Sequence, residues 1–187
     1  MKLVLGSKSP RRREILGMVT KDFSVRVSDC DESYDEKTPL CEVPKILAER
    51  KAMALSLEND EIVIGCDTVV IYKNELMGKP TDKTDAVRML RTLSGTTHLI
   101  ISGICVRTRD KRYSEAVTTY VTFRDLTDEE IVSYVERYNP VDKAGAYGIQ
   151  EAAGAFVEKI DGDFYNVVGL PLCRLCEILK KEFNFVV

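Results

Sequence analysis

Met1-Lys-Leu-Val-Leu-Gly-Ser-Lys-Ser-Pro-Arg-Arg-Arg13 opens the chain and sets its architecture. Leu3, Val4 and Leu5 make an unbroken apolar run, the pattern of a buried strand. Gly6 and Ser7 turn the chain. Ser9 suits a helix N-cap, Pro10 suits the first helical position, and Glu14-Ile15-Leu16 continues the helix. A strand thus hands a serine-rich turn to a helix N-terminus, where unpaired backbone N–H groups favour an anion. Arg11, Arg12 and Arg13 add charge and fork-shaped donors at the same place. A basic cluster alone reads as a solvated face. Strand, serine turn, Pro and paired arginines together point to a phosphate group.

Strand-like and helical runs alternate outward from this unit, which indicates an α/β fold. Phe23-Ser-Val-Arg-Val27 alternates apolar and polar residues, as a half-buried strand does. Ser28 to Thr38 is acidic and turn-rich, and Cys41 to Leu57 reads as helix. Glu61 to Cys66 reads as a short strand ending at Gly65-Cys66-Asp67, with Lys73-Asn74 as a hairpin turn between Val69–Tyr72 and Glu75–Met77. Thr81 to Leu93 is helical. Thr97–Arg107 and Ala116–Arg124 are long strands joined by a turn through Thr108–Ser114. Thr127 and Glu130 form a capping box, with Leu126 stapling onto Ile131, for a helix reaching Tyr138. Ala144 to Gly154 is too rich in Gly for a helix. Ala155–Ile160 is a strand and Pro171–Lys181 a terminal helix.

The 187 residues, 44% hydrophobic and 30% charged, are those of a globular protein with room for a core. A net charge of -3 opposes general nucleic-acid binding but leaves room for a local cationic site. No apolar run approaches the ~20 residues of a membrane span, and Leu3-Val4-Leu5 is too short for a secretion signal. The six cysteines are therefore expected to be reduced thiols and the protein cytoplasmic.

Several residues can carry chemistry. Asp67 follows a buried strand, where ligands gather in α/β sheets, so it can hold a divalent metal or take a proton from water; an Asp turn or cap is the plainer alternative. Asp29, Asp31, Glu32, Asp35 and Glu36 form an acidic loop, either solvated or lending one carboxylate to Mg²⁺. Lys51 lies within a helix. Lys79, in Gly78-Lys-Pro80, is aimed from a rigid turn and suits developing phosphoryl charge. Asp142-Lys-Ala-Gly-Ala-Tyr-Gly-Ile-Gln150 sets small residues around one aromatic and one amide; Gln150 can pair with a nucleobase edge, or the segment is a turn with Tyr147 in the core. Cys173-Arg-Leu-Cys176 reads as helix packing rather than a metal or redox pair, and His98 has no nucleophile partner in sequence.

Leu5-Gly-Ser-Lys-Ser-Pro-Arg-Arg12, Ala48-Glu-Arg-Lys-Ala52, Gly65-Cys-Asp-Thr-Val69, Gly78-Lys-Pro80, Leu93-Ser-Gly-Thr-Thr-His98, Asp142 through Gln150 and Val168-Gly-Leu-Pro171 occur in order. Together they resemble the Maf family of nucleoside triphosphate pyrophosphatases from end to end. The resemblance implies hydrolysis of a nucleoside triphosphate to the monophosphate and pyrophosphate with Mg²⁺ or Mn²⁺. It implies one domain over residues 1–187, a Maf/ITPase-like fold with two lobes around a long mixed sheet and a central cleft, and a homodimer. Ser7, Arg11 and Arg12 then resemble triphosphate contacts. Asp67 resembles the general base and metal carboxylate, with Glu32 as its acidic neighbour and Asp31 as the competing choice. Lys51 and Lys79 resemble charge stabilisers, and Thr68 and Gln150 specificity positions.

The segment ending at Gln150 is similar to the dTTP/UTP branch; the 7-methyl-GTP branch typically ends it with Glu. An amide meets a thymine or uracil edge with both donor and acceptor, whereas a carboxylate only accepts. The expected role is nucleotide-pool sanitation, with no nucleic-acid or membrane partner. The family's association with septum formation supplies the rival expectation: a nucleotide-binding regulator of cell division that needs no turnover.

Overall fold

The computed structural model describes residues 1–27 and 29–187. The acidic stretch expected from Ser28 onward is irregular through Glu36, with Ser28 itself outside the described residues. The strands are β1 (Lys2–Gly6), β2 (Phe23–Arg26), β3 (Glu61–Tyr72), β4 (Glu75–Met77), β5 (Thr97–Arg107), β6 (Arg112–Phe123) and β7 (Val157–Asp161). The helices are α1 (Pro10–Leu16), α2 (Val43–Met53), α3 (Lys83–Leu93), α4 (Asp128–Tyr138), α5 (Phe164–Val168) and α6 (Leu172–Phe183). Strand order is β2-β1-β3-β5-β6-β7, with β4 paired to β3. The sheet is mixed: β1 runs parallel to β2 and β3, while β3–β4 and β6–β7 are antiparallel. No helix among the described residues is long and apolar enough to cross a membrane.

Two compact units are present. Met1–Thr68, Ile101–Val117 and Tyr165–Val187 form one; Val69–Ile100 and Thr118–Phe164 form the other. In the first, β1 has Leu3, Val4 and Leu5 fully buried, as its apolar run requires. Helix α2 packs on the sheet through Ala48, Ala52 and Leu55 against Val4, Val63 and Cys105. That approach depends on two missing side chains. A Cβ at Gly65 would lie 2.3 Å from the Ala48 carbonyl oxygen, and one at Gly103 would lie 2.0 Å from that of Pro44. Arg107 of β5 then ties down the helix end, donating from Nε to Ala52 O (3.0 Å) and from Nη2 to Leu55 O (2.5 Å).

In the second unit Lys73 and Asn74 both have positive φ, as the tight hairpin turn between β3 and β4 needs. Asp82 caps α3 by accepting from Asp85 N at 2.8 Å. The expected capping box is formed at α4: Thr127 Oγ1 accepts from Glu130 N, and Glu130 accepts from Thr127 N. His98, Phe123, Tyr147, Phe156 and Tyr134 meet edge to face, with centroids 4.9 to 6.1 Å apart.

Some expectations are corrected. β3 is a single strand, so Asp67 lies within a strand rather than after one; the Val69–Tyr72 segment simply continues it. β2 ends the strand order and, among the described residues, pairs only with β1, and its Val25 is exposed rather than half-buried. Helix α2 is shorter than Cys41–Leu57, because Pro44 sets its first turn. β6 starts earlier, at Arg112, and α5 was not expected. Cys173 is exposed and does not pack in a core, although Leu172, Leu175, Ile178 and Leu179 of α6 do.

Gly65→Ala should lower stability by about 2 kcal/mol or more, since backbone, not a flexible side chain, meets the added methyl. Urea unfolding reads this, and an unchanged midpoint would contradict the packing described. His98 supplies a pH prediction. Burial pushes its pKa from 6.5 down to about 4. Between those values the unfolded chain binds a proton that the folded chain does not, so stability is full above pH ~6.5 and falls toward pH 4. The loss should reach at most roughly 3 kcal/mol. Unfolding at pH 7 and pH 4.5 should show a steeper decline in the native protein than in His98→Leu; equal declines would refute the assignment.

Candidate active site

β1 stops at Gly6, whose partner on β3 is Gly65. β3 continues, so Cys66, Asp67 and Thr68 run past the carboxyl end of β1. The chain leaving β1 turns through Ser7–Ser9 into α1. Ser9 is the N-cap, its hydroxyl accepting from Arg12 N, and Pro10 opens the helix, as expected. Ser7 Oγ accepts from Ser9 N at 3.2 Å and so holds the turn closed.

Arg12 is the hub of this region. Its Nε donates to Gly169 O (2.8 Å), Nη1 to Cys66 O (2.8 Å) and Ser7 Oγ (3.3 Å), and Nη2 to Thr68 Oγ1 (3.1 Å). Four of the five guanidinium N–H groups are thereby used within the protein. Thr68 Oγ1 is 2.8 Å from Ser102 Oγ, which donates to Asn166 O. Thr68 Oγ1 accepts from Arg12, and its own proton faces two oxygens, Ser102 Oγ and Gly169 O at 3.3 Å, with either hydroxyl of the Thr68–Ser102 pair able to donate. The Thr68 hydroxyl, expected as a specificity position, thus belongs to a relay within the protein. Sequence reasoning missed Ser102, Asn166 and the Gly169 carbonyl. The Val168-Gly-Leu-Pro171 motif was the available signal, but a backbone carbonyl leaves no side-chain signature.

Lys51 lies on the face of α2 that meets β3. Its Nζ is 2.5 Å from Asp67 Oδ1 and 3.0 Å from Glu32 Oε1. Lys51 and Asp67 are largely buried, whereas Glu32 is mostly exposed. Burial works against the ammonium, but the Asp67 and Glu32 carboxylates outweigh it, and the Lys51 pKa is raised above its ordinary 10.5. Asp31 is engaged elsewhere: it accepts from Ser33 N and Oγ and lies 3.6 Å from Arg50. Those bonds from Ser33 lower its pKa. Of the two acidic residues competing in sequence, Glu32 is the one on Lys51.

A pocket of about 230 Å³ opens here. Among the described residues it is lined by the Gly6–Ser9 turn, Arg12, Val27, Asp29, Cys30, Glu32 and Lys51. Arg11, half-buried on α1, does not line it. Cys66 is buried beneath, its thiol 3.3 Å from Gly169 O and its pKa pushed up by burial. Lys79 and Gln150 belong to the second unit, and both are exposed. The turn carrying Lys79 is joined to the segment carrying Gln150 by a bond from Gly145 N to Gly78 O (3.1 Å). Arg12→Lys replaces a fork by a point charge and should cost about 2 kcal/mol of stability. Denaturant titration measures this; native stability in that variant would remove Arg12 from the role of a strap.

The profile of the Maf-like protein family matches residues 2–182. A dTTP/UTP pyrophosphatase of Alkaliphilus metalliredigens is 48% identical over 187 residues, covering 98% of this chain and 97% of that protein. Proteins of the same name from Bacillus velezensis (44% identical; 98% and 97% covered) and Thermosipho africanus (44% identical; 96% and 92% covered) match similarly. The solved Staphylococcus aureus Ham1 protein overlaps 67% of this chain and 73% of its own at 16% identity, with a TM-score of 0.46, too low to bear on the fold. With the family profile matched almost from end to end and relatives near half identical over full length, the chain belongs to the Maf-like protein family.

Proposed function

We propose that this protein hydrolyses nucleoside triphosphates, dTTP and UTP foremost, to the monophosphate and pyrophosphate, and so removes unwanted nucleotides from the pool. The observation that carries this reading is the Lys51 ammonium held by Asp67 and Glu32 beside a pocket walled by the Ser7–Ser9 turn and Arg12. Cations and a serine turn suit phosphate, and a carboxylate suits a proton from water. The names of the relatives, dTTP/UTP pyrophosphatase at 44 to 48% identity, support the same chemistry.

In this mechanism the triphosphate lies along the Ser7 turn, with Lys51 and Arg12 balancing its charge and Arg11 adding to the field. Asp67 orients a water and accepts its proton as the oxygen attacks the α-phosphorus. The bond from that phosphorus to the bridging oxygen breaks, and pyrophosphate departs with Lys79 stabilising its charge. Positioning and electrostatics supply most of the rate. Thr68 acts through the relay that fixes Arg12, and Gln150 meets the pyrimidine edge with its donor and acceptor.

A divalent cation, Mg²⁺ or Mn²⁺, is part of the proposal. Two carboxylates converge on the position that the Lys51 ammonium now serves, and one or two carboxylates with substrate phosphates make the hard-oxygen set such ions take. The donor set fits, and Asp67 and Glu32 are the residues that would hold the ion. When bound it neutralises phosphate oxygens and makes a water more acidic. A cytoplasmic homodimer acting on free nucleotides, not on nucleic acid or at a membrane, belongs to the same proposal.

Pyrophosphate release from dTTP, UTP, CTP, dATP, GTP and 7-methyl-GTP, with Mg²⁺, Mn²⁺ or chelator, tests it. Cation-dependent release led by dTTP and UTP is expected. Asp67→Asn should lower kcat by about 10² or more, the usual worth of a general base. Nucleotide binding without release from any member of the panel would instead favour a regulator.

A further inference from the structure

The segment before Gln150 is held in a conformation its residues do not choose. Gly145 and Ala146 both have positive φ, 71° and 62°. For alanine that region is disfavoured, and such a conformation persists only where the surroundings enforce it. Three polar anchors surround it. Gly145 N donates to Gly78 O, Gly148 N donates to Tyr134 Oη at 3.3 Å, and Tyr147 Oη is 2.8 Å from His98 Nε2. Lys143, itself buried, adds ion pairs to Asp142 at 3.0 Å and Glu151 at 3.5 Å, either side of Gln150.

The His98–Tyr147 pair differs from the other anchors. Both residues are buried in the aromatic cluster, where Phe and Leu would pack as well and avoid the cost of dehydrating polar atoms. What the polar pair adds is direction. The bond fixes the Tyr147 ring against β5, a rigid central strand, and so sets the path of the chain from Ala146 to Gln150. His98 is uncharged in this setting, so the bond persists across the neutral range.

We infer that His98 is a positioning residue for base selection: through Tyr147 it holds the segment that presents the Gln150 amide. The mechanism above gives His98 no part, and this inference rests on the reading of Gln150 as the base-edge residue.

Steady-state kinetics with dTTP and dCTP, pyrimidines that differ by the 5-methyl group and invert donor and acceptor at ring positions 3 and 4, test it. Tyr147→Phe removes one oxygen and keeps the packing. It should cut the dTTP-to-dCTP ratio of kcat/KM about fivefold, the factor one ordinary hydrogen bond represents, chiefly through KM for dTTP. His98→Leu should do the same. The double variant should lose no more than either alone, because both remove one bond. His98→Gln, which can still bond Tyr147, should restore most of the ratio. Melting temperature, followed in parallel, establishes that each variant is folded. An unchanged ratio in folded Tyr147→Phe, while Gln150→Glu shifts it, would overturn the inference and leave the Gln150 reading standing. An unchanged ratio in Gln150→Glu as well would overturn both.

Discussion

The site depends on how closely α2 lies on the sheet. Gly65 and Gly103 present bare backbone where the carbonyls of Ala48 and Pro44 press down. No residue with a side chain fits there without displacing the helix. Lys51 stands between Ala48 and Ala52 in meaning as well as in sequence: the contact that admits Ala48 and Ala52 to β3 brings the intervening ammonium onto Asp67, two residues beyond Gly65. Helix placement and charge placement are thus one event. A small shift of α2 would separate a buried cation from its carboxylate, and a half-buried unpaired charge is costly.

In the same unit Arg12 is held by near saturation of its donors. Arg12 uses most of its donors on Ser7, Cys66, Thr68 and Gly169, drawing the Ser7 turn, β3 and the chain at Gly169 to one guanidinium. Such a strap preorganises the turn that faces the pocket, so little ordering remains when a ligand binds. It also separates the tasks of neighbouring arginines. Arg12 shapes the wall of the pocket, while Arg11 is half-buried on α1 and, among the described residues, has no place in that wall.

Much of this was legible in the sequence. The apolar run of β1, the Ser9 cap, the Lys73-Asn74 turn and the Thr127–Glu130 box depend on local chemistry, and each formed where expected. Asp67, Lys51 and Glu32 were legible as candidates, and the structure brings them together. Their context was not. Gly65-Cys66-Asp67-Thr68 looks like a turn because glycine and aspartate usually mark one, yet Gly65 is there for helix packing and the strand runs on. The capture of the Thr68 hydroxyl and three of the four bonds of Arg12 arise from residues more than thirty positions away, which no local pattern encodes. The exposure of Val25 and Cys173 is likewise set by which elements have neighbours, not by their own periodicity.

The same environment narrows which group can take a proton. Lys51 is a base only when deprotonated, and its two carboxylate partners hold it protonated above its ordinary range. The stability it contributes is complete below about pH 10.5 and is lost only as pH rises through the still higher folded value. The Cys66 thiol is buried with its pKa raised, so it stays neutral and closed to solvent. His98 lies in the aromatic cluster of the second unit, hydrogen-bonded to Tyr147. Of the two carboxylates on the Lys51 ammonium, Asp67 is the one fixed to a strand. Glu32, exposed and on an irregular segment, can adjust to a ligand, whereas Asp67 cannot move without β3. A rigid carboxylate beside an adaptable one suits the roles proposed for them, a fixed base and a partner that adjusts to a ligand.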